Sequence, residues 1–413
     1  MNISSRPGLY FAVLRACASL KINGTVASRL CRVLLIWGGL LPVSGCATMG
    51  LSSDRDFGLE PRSLAMFVVS TRKGEQGGAD EAIEQGARFS LQRIVVPPSH
   101  ETGRIEQPSF GAADPEKHFT VQSRRPLDET AFFSELASHI SGRIGSNRDI
   151  LLYVHGFNTS YDEARFRLAQ IAADGRFGGV LVLYTWPAAA SLLDYGAAKE
   201  NATAARDSLT KLIQKLGEVP DAGKVHILAH SMGAWLAMEA LRENAIAGSP
   251  NLNGKLGDVM LAAPDIDLNV FRQQLARLDP GHVFVFIASN DRALSLSRRL
   301  AGDRPRLGGL DPNNSADRAV LDELGVKAYD LSKESTGLIG HATYADAPLA
   351  VRTIGAQLTE PRPQDAHVQA VLGEKPVDSQ IISTPLPPPQ NGTPSAVEPS
   401  TPSTASQAVT QPQ

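Results

Sequence analysis

The chain has 413 residues, 42% of them hydrophobic, and a formal net charge of −3 from 40 basic and 43 acidic side chains that are interspersed along it. That length suits one large domain with tails or two modest ones, and the apolar fraction is enough for a sizeable core. No basic cluster marks a nucleic-acid partner. The three cysteines, Cys17, Cys31 and Cys46, all lie in the first stretch, which excludes a disulfide framework or a thiolate metal site in the body.

Val33 to Val43 is an uncharged apolar run preceded by Arg29 and Arg32. It has the length of a signal-peptide core and is short for a bilayer span. It ends in Leu41-Pro42-Val43-Ser44-Gly45-Cys46. That ending resembles the bacterial lipobox, in which a cysteine after small residues is lipid-modified and becomes N-terminal on cleavage. The resemblance implies a signal peptide over 1–45, a lipidated Cys46 and the membrane as a partner. Ala47, rather than an aspartate, follows the cysteine, which points to the outer membrane, facing the periplasm. Residues 46–61 are small and polar and read as a tether.

The body follows. Ser63 to Thr71 reads as a first strand and Phe89 to Val96 as a second, closed by Pro97-Pro98. His118 to Ser123 is a candidate third strand. Phe132, Phe133, Leu136 and Ile140 recur at helical spacing behind Asp128, a suitable N-cap. From there strands and helices alternate. The strands are Ile150–Val154, Val180–Tyr184, Val225–Ala229, Val259–Ala262, Val283–Ala288 and Val326–Leu331. The helices are Ala164–Ala173, Ala197–Leu216, Met232–Asn244, a segment from Pro264 to about Leu278, and Pro348–Leu358. Repeated strand–helix units predict an α/β fold, a mostly parallel central sheet with helices on both faces. Residues 62–360 form this domain. From Pro361 to Gln413 Pro, Ser, Thr, Gln and Ala dominate, a composition that cannot build a packed core.

One stretch organises the body: Lys224-Val-His-Ile-Leu-Ala-His-Ser-Met-Gly233. An apolar strand turns at once into a helix with Ser231 at the bend, the arrangement of a nucleophile elbow. Such a bend needs small residues two before and two after the serine, here Ala229 and Gly233. A serine hydroxyl needs a neighbouring base to become a nucleophile, and histidine suits. Ligand sites in such sheets lie at the carboxyl ends of the strands. Downstream of Ser231, His282 precedes a strand and His367 lies in the tail, which leaves His341. The acid that orients the histidine is Asp291, after the second strand beyond the elbow strand, or alternatively Asp265, after the first. The backbone N–H groups of Met232 and Phe157 are the expected oxyanion donors. His155, Asn158, Trp186 and His230 are expected around the pocket. No cofactor or metal is expected. His226 and His230 lack an intervening glutamate on a helix, and Asp311 to Asp317 lacks the central glycine of a calcium loop.

The stretches Leu152-Tyr-Val-His-Gly-Phe-Asn158, Tyr184-Thr-Trp-Pro187, Ala229-His-Ser-Met-Gly233, Ala263-Pro-Asp-Ile-Asp267 and Ser289-Asn-Asp-Arg-Ala-Leu294 together resemble a bacterial family of esterase/lipase-like α/β-hydrolases of unknown function. The resemblance covers about Leu64 to Leu358. It implies the α/β-hydrolase fold and a Ser-His-Asp hydrolase, and almost nothing about substrate. The first reading is a membrane-anchored serine hydrolase of carboxylic esters, with a small-molecule or lipid ester as substrate. An amidase or acyltransferase with the same triad, or an envelope lipoprotein using the fold as a binding module, are the alternatives.

Overall fold

The computed structural model describes residues 62–73, 86–188, 194–334 and 341–359. The expected signal peptide, Cys46, the tether and the tail lie outside the described residues, as do residues 335–340 just before His341.

In chain order the elements are β1 (Arg62–Ser70), β2 (Arg88–Val96), β3 (Thr120–Leu127), α1 (Glu129–Ile140), β4 (Ile150–Val154), α2 (Tyr161–Asp174), β5 (Val180–Thr185), α3 (Tyr195–Glu218), β6 (Val225–His230), α4 (Met232–Ile246), β7 (Leu256–Ala262), α5 (Leu268–Leu275), β8 (Val283–Ile287), α6 (Arg292–Leu300), α7 (Ser315–Leu324), β9 (Lys327–Asp330), α8 (Thr343–Asp346) and α9 (Pro348–Thr359). The strands form one sheet in the order β3-β2-β1-β5-β4-β6-β7-β8-β9. β1–β2 and β2–β3 pair antiparallel, and every other neighbouring pair is parallel. The sheet is thus the expected mostly parallel one. β4 sits at its centre between β5 and β6. The chain leaves β4 toward one side for β5 and returns to its other side for β6. That reversal opens a crevice at the carboxyl ends of β4 and β6.

Strand alternation feeds two separate cores. On β4, Ile150, Leu152 and Val154 face one side, with α1, α3 and α4 packed over them. Leu151 and Tyr153 face the other, under α2, α8 and α9. A parallel strand covered on both faces must be apolar throughout, and all five β4 residues are buried. α3 meets its core through Ala198, Ala202, Ala205, Leu209, Leu212, Ile213 and Leu216, one stripe at helical spacing.

Some boundaries differ from the sequence expectation. β3 starts at Thr120 and runs on to Leu127, although most of it is exposed. An edge strand is held by its ladder to β2 and needs no apolar face. The helix expected from Pro264 is shorter, because the Asp267 side chain accepts from the N–H groups of Asn269 and Val270 and starts α5 there. In the Asp311–Asp317 segment Asn314 caps α7 in the same way.

The loop between β2 and β3 is clasped to α2 and α8. His100 lies between two carboxylates, Nδ1 2.9 Å from Glu106 and Nε2 3.0 Å from Asp174. Asp174 also accepts from the Gly103 N–H at 2.9 Å. Gln170 donates to the carbonyl of Ala345 at 3.1 Å, and Arg167 reaches Asp346 at 2.7 Å. Burial opposes a charge on His100, but the hydrogen bonds to Asp174 and Glu106 outweigh it and raise its pKa above the ordinary 6.5. A base whose pKa rises on folding stabilises the fold fully below its unfolded value and loses that contribution as pH climbs through the folded value. His100→Asn should therefore cost more stability at pH ~6 than at pH ~9. Urea midpoints of both proteins at the two pH values check this, and an equal gap at both would contradict it.

Candidate active site

β6 ends at His230 and α4 begins at Met232, so a single residue makes the corner. Ser231 does so with φ 53° and ψ −123°. For a non-glycine residue such a conformation costs roughly 1–3 kcal/mol and persists only where the surroundings impose it. The surroundings do. A Cβ on Gly233 would lie 2.2 Å from the carbonyl oxygen of His155 and 2.8 Å from that of Val154. Both are backbone atoms of the neighbouring strand end and cannot move aside. Ala229, two residues before the serine, is fully buried and fits with its methyl group. Gly156 is required for the same kind of reason: a Cβ there would meet His230 Nδ1 at 2.7 Å and Ser231 Cβ at 2.9 Å. The positive φ in this loop belongs instead to Asn158, at 54°.

Asp291 follows β8 and caps α6. Its Oδ1 accepts from the N–H groups of Ala293 and Leu294 at 2.8 and 3.1 Å. Its Oδ2 lies 2.6 Å from His341 Nδ1. One buried carboxylate thus serves the helix with one oxygen and the imidazole with the other, and the helix N-terminus favours its negative charge. Asp265 is neither a cap nor a partner of the imidazole. Tyr195 donates to it at 2.8 Å and Ser297 at 2.6 Å, and the Arg306 guanidinium lies 3.2 Å away. Those contacts join the β7 end to α3 and α6.

His341 is brought to the elbow by His230. The Nε2–H of His230 donates to the His341 carbonyl oxygen at 3.1 Å. The two rings are 4.6 Å apart, and Tyr344 covers His230 at the same spacing. The Tyr344 hydroxyl in turn meets that of Tyr153 at 2.8 Å. Burial, and then the neighbouring His341, hold the pKa of His230 well below the ordinary histidine value. Among the described residues no hydrogen bond joins the Ser231 hydroxyl to the His341 ring. Such bonds commonly align only with substrate in place.

Two expected pocket residues prove to be support. His155 and Trp186 are inaccessible to solvent. Their rings stack 5.6 Å apart and nearly parallel, and the Trp186 indole N–H donates to the His155 carbonyl at 3.0 Å. Asn158 is exposed on the loop, and His230 is buried beside the serine. Phe157 is half-buried, with the edge of Tyr195 5.8 Å away. Sequence reasoning missed Arg72, Thr185 and Tyr344. Arg72 and Thr185 carry the same signal that singled out His155: a polar residue at the carboxyl end of a buried parallel strand.

Residues 128–362 match the family model described as "Alpha/beta hydrolase of unknown function (DUF900)". No curated protein matches the sequence. Among solved structures, carboxyl esterase 2 of the mycorrhizal fungus Tuber melanosporum is 10% identical over 75% of this chain and 89% of its own, with a TM-score of 0.33. An esterase of Pyrobaculum calidifontis is 14% identical over 74% and 85%, with a TM-score of 0.31. Likenesses this distant say nothing about chemistry. The family match spans more than half of the chain, and the elbow, the central sheet and the strand-end site all fall within it or beside it. The chain belongs to this family of α/β hydrolases of unknown function.

Proposed function

We propose that the protein is a serine hydrolase acting on carboxylic esters, with Ser231 as nucleophile, His341 as base and Asp291 as the acid that orients it. The observation that carries this reading is the 2.6 Å contact between His341 Nδ1 and Asp291 Oδ2 beside a serine held at φ 53°. With Nδ1 bonded to the carboxylate, Nε2 is the nitrogen left to take the hydroxyl proton. Ser231 Oγ attacks the ester carbonyl carbon as that proton moves to His341. The Met232 and Phe157 N–H groups receive the oxyanion. Collapse expels the alcohol, to which His341 returns the proton. Water then enters by the same route in reverse and frees the acid and the serine. Asp291 orients the ring and stabilises the imidazolium.

The same proposal places the enzyme in the bacterial cell envelope, held by a lipid on Cys46 in the outer membrane and facing the periplasm, with a small-molecule or lipid ester as substrate. Its support is the lipobox-like ending at Cys46. No helix among the described residues is long and apolar enough to cross a membrane.

A fluorophosphonate probe should label the wild-type protein and leave Ser231→Ala unlabelled; labelling of a different residue would remove the nucleophile. The acid is separable by hydrolysis of a short p-nitrophenyl ester. Asp291→Asn should lose about 10⁴-fold in kcat, the size seen when a triad acid is neutralised. Asp265→Asn should lose far less, through packing around α6 alone, and the opposite ranking would reassign the acid. For the anchor, Cys46→Ser should move the protein from the membrane fraction to the soluble one. A variant that stays with the membrane would show that Cys46 is not what holds it.

A further inference from the structure

The loop after β4 carries the Phe157 N–H, and its direction is set from beneath. His155 Nε2 lies 3.1 Å from Arg72 Nη2, 3.0 Å from Thr185 Oγ1 and 3.2 Å from the backbone nitrogen of Trp186. A guanidinium and a peptide N–H can only donate. Nε2 is therefore an acceptor, and the ring proton sits on Nδ1. That Nδ1–H donates to the carbonyl oxygen of Gly156 at 2.9 Å. The carbonyl belongs to the peptide unit whose nitrogen is that of Phe157. In a planar trans peptide the C=O and the N–H point in opposite directions. Drawing the Gly156 oxygen toward the buried ring turns the Phe157 N–H away from it. The peptide stands beside the nucleophile, since a Gly156 Cβ would be 2.9 Å from Ser231 Cβ.

Arg72 closes the arrangement. It is 1% exposed. Its Nε donates to Thr185 Oγ1 at 2.7 Å, and its Nη2 donates to the Thr159 carbonyl at 2.7 Å. One guanidinium from the end of β1 thus holds β5 and both ends of the loop from His155 to Thr159.

We propose that Arg72 and His155 are positioning residues of the oxyanion site: the guanidinium fixes the imidazole tautomer, and the imidazole fixes the peptide whose N–H receives the oxyanion. The proposal rests on Ser231 being the nucleophile. Protonating His155 would put a donor at Nε2 against two groups that can only donate, the Arg72 guanidinium and the Trp186 N–H. Burial and the Arg72 charge both keep the ring neutral, with a pKa well below the ordinary histidine value.

The test compares His155→Gln, His155→Asn and Arg72→Lys on a short p-nitrophenyl ester and on a trifluoromethyl ketone, whose carbonyl carbon takes the serine oxygen and leaves an oxyanion. The Gln and Lys variants should lose about ten- to a hundredfold in kcat, up to the loss seen when one oxyanion donor is removed, with KM little changed. Ketone affinity should fall by the same factor as kcat. Asn can place an N–H where Nδ1–H stood and should recover part of the loss seen with Gln. A folded His155→Gln with wild-type kcat, or a loss of kcat without a matching loss of ketone affinity, would overturn the positioning role and leave the Ser231 reading intact. A wild-type protein that neither hydrolyses the ester nor binds the ketone would overturn both. Should the Gln variant fail to fold, ¹⁵N spectra of the histidine-labelled wild type decide. His155 with a protonated Nδ1 and a bare Nε2 supports the proposal, and the reverse tautomer overturns it.

Discussion

The carbonyl oxygen of His155 presses against the backbone of Gly233 so closely that a Cβ there would be 2.2 Å from it. This contact joins the end of β4 to the first turn of α4, and the rest of the site depends on it. It lets the elbow close over the central strand, and the closed elbow holds Ser231 in a backbone conformation that a free serine avoids. The Ser231 backbone is tied on the other side as well: its N–H donates to the Ala262 carbonyl at 2.9 Å and its carbonyl accepts from the Asp265 N–H at 3.2 Å. The strain is thus offset by backbone groups of three strand ends, β4, β6 and β7, none of which can relax without opening the sheet.

The buried polar groups divide by what they attend to. Arg72, Thr185, His155 and Trp186 lie under the loop that follows β4. Asp265, Tyr195, Ser297 and Arg306 join β7 to α3 and α6, and α6 is the helix whose cap is Asp291. Each group sits at the carboxyl end of the sheet, and its members contact one another. A buried polar group left unpaired costs about 1–3 kcal/mol, so such clusters specify how these loops lie as strongly as the apolar core specifies how the helices lie. Asp265 shows the consequence. Its place after β7 would suit a triad acid, yet its oxygens are committed to Tyr195, Ser297 and the Arg306 charge.

Most of the sheet was legible because short, largely apolar runs such as Ile150–Val154 and Val225–Ala229, alternating with helix-length segments, fit strands covered on both faces. β3 was less so, since an exposed edge strand has no such pattern. The position of His155 and Trp186 just past strand ends was also legible. The direction of their side chains was not: chain position fixes how far along the sheet a residue lies, not whether it points into the crevice or beneath it. Arg72 was passed over because it opens a charged, glycine-rich stretch that reads as solvated loop. Only the contact with His155, far away in sequence, reveals that it is buried. The double use of Asp291 was hidden for a related reason. A residue in an N-cap position looks fully explained by its cap, although a carboxylate has a second oxygen to give.

The two halves of the proposed triad are held in different ways, and the difference suits their tasks. Ser231 and Asp291 are fixed by backbone geometry and by a helix N-terminus. His341 is 19% exposed in its side chain and is held by contacts: the Asp291 carboxylate, the His230 N–H to its carbonyl, and α8 behind it, clasped to α2 through Arg167 and Gln170. A base that must pass a proton from nucleophile to leaving group needs to be oriented yet able to turn slightly. It also needs its neighbour to be uncharged. The rings of His230 and His341 are 4.6 Å apart, and two positive charges at that distance would repel by about 4 kcal/mol at an effective dielectric constant of ~20. That is enough to suppress proton uptake by roughly a thousandfold. His230 is neutral because it is buried, and because its Nε2–H is committed to the His341 backbone. The residue next to the nucleophile can therefore hold the base in place without competing for the proton that the base must accept.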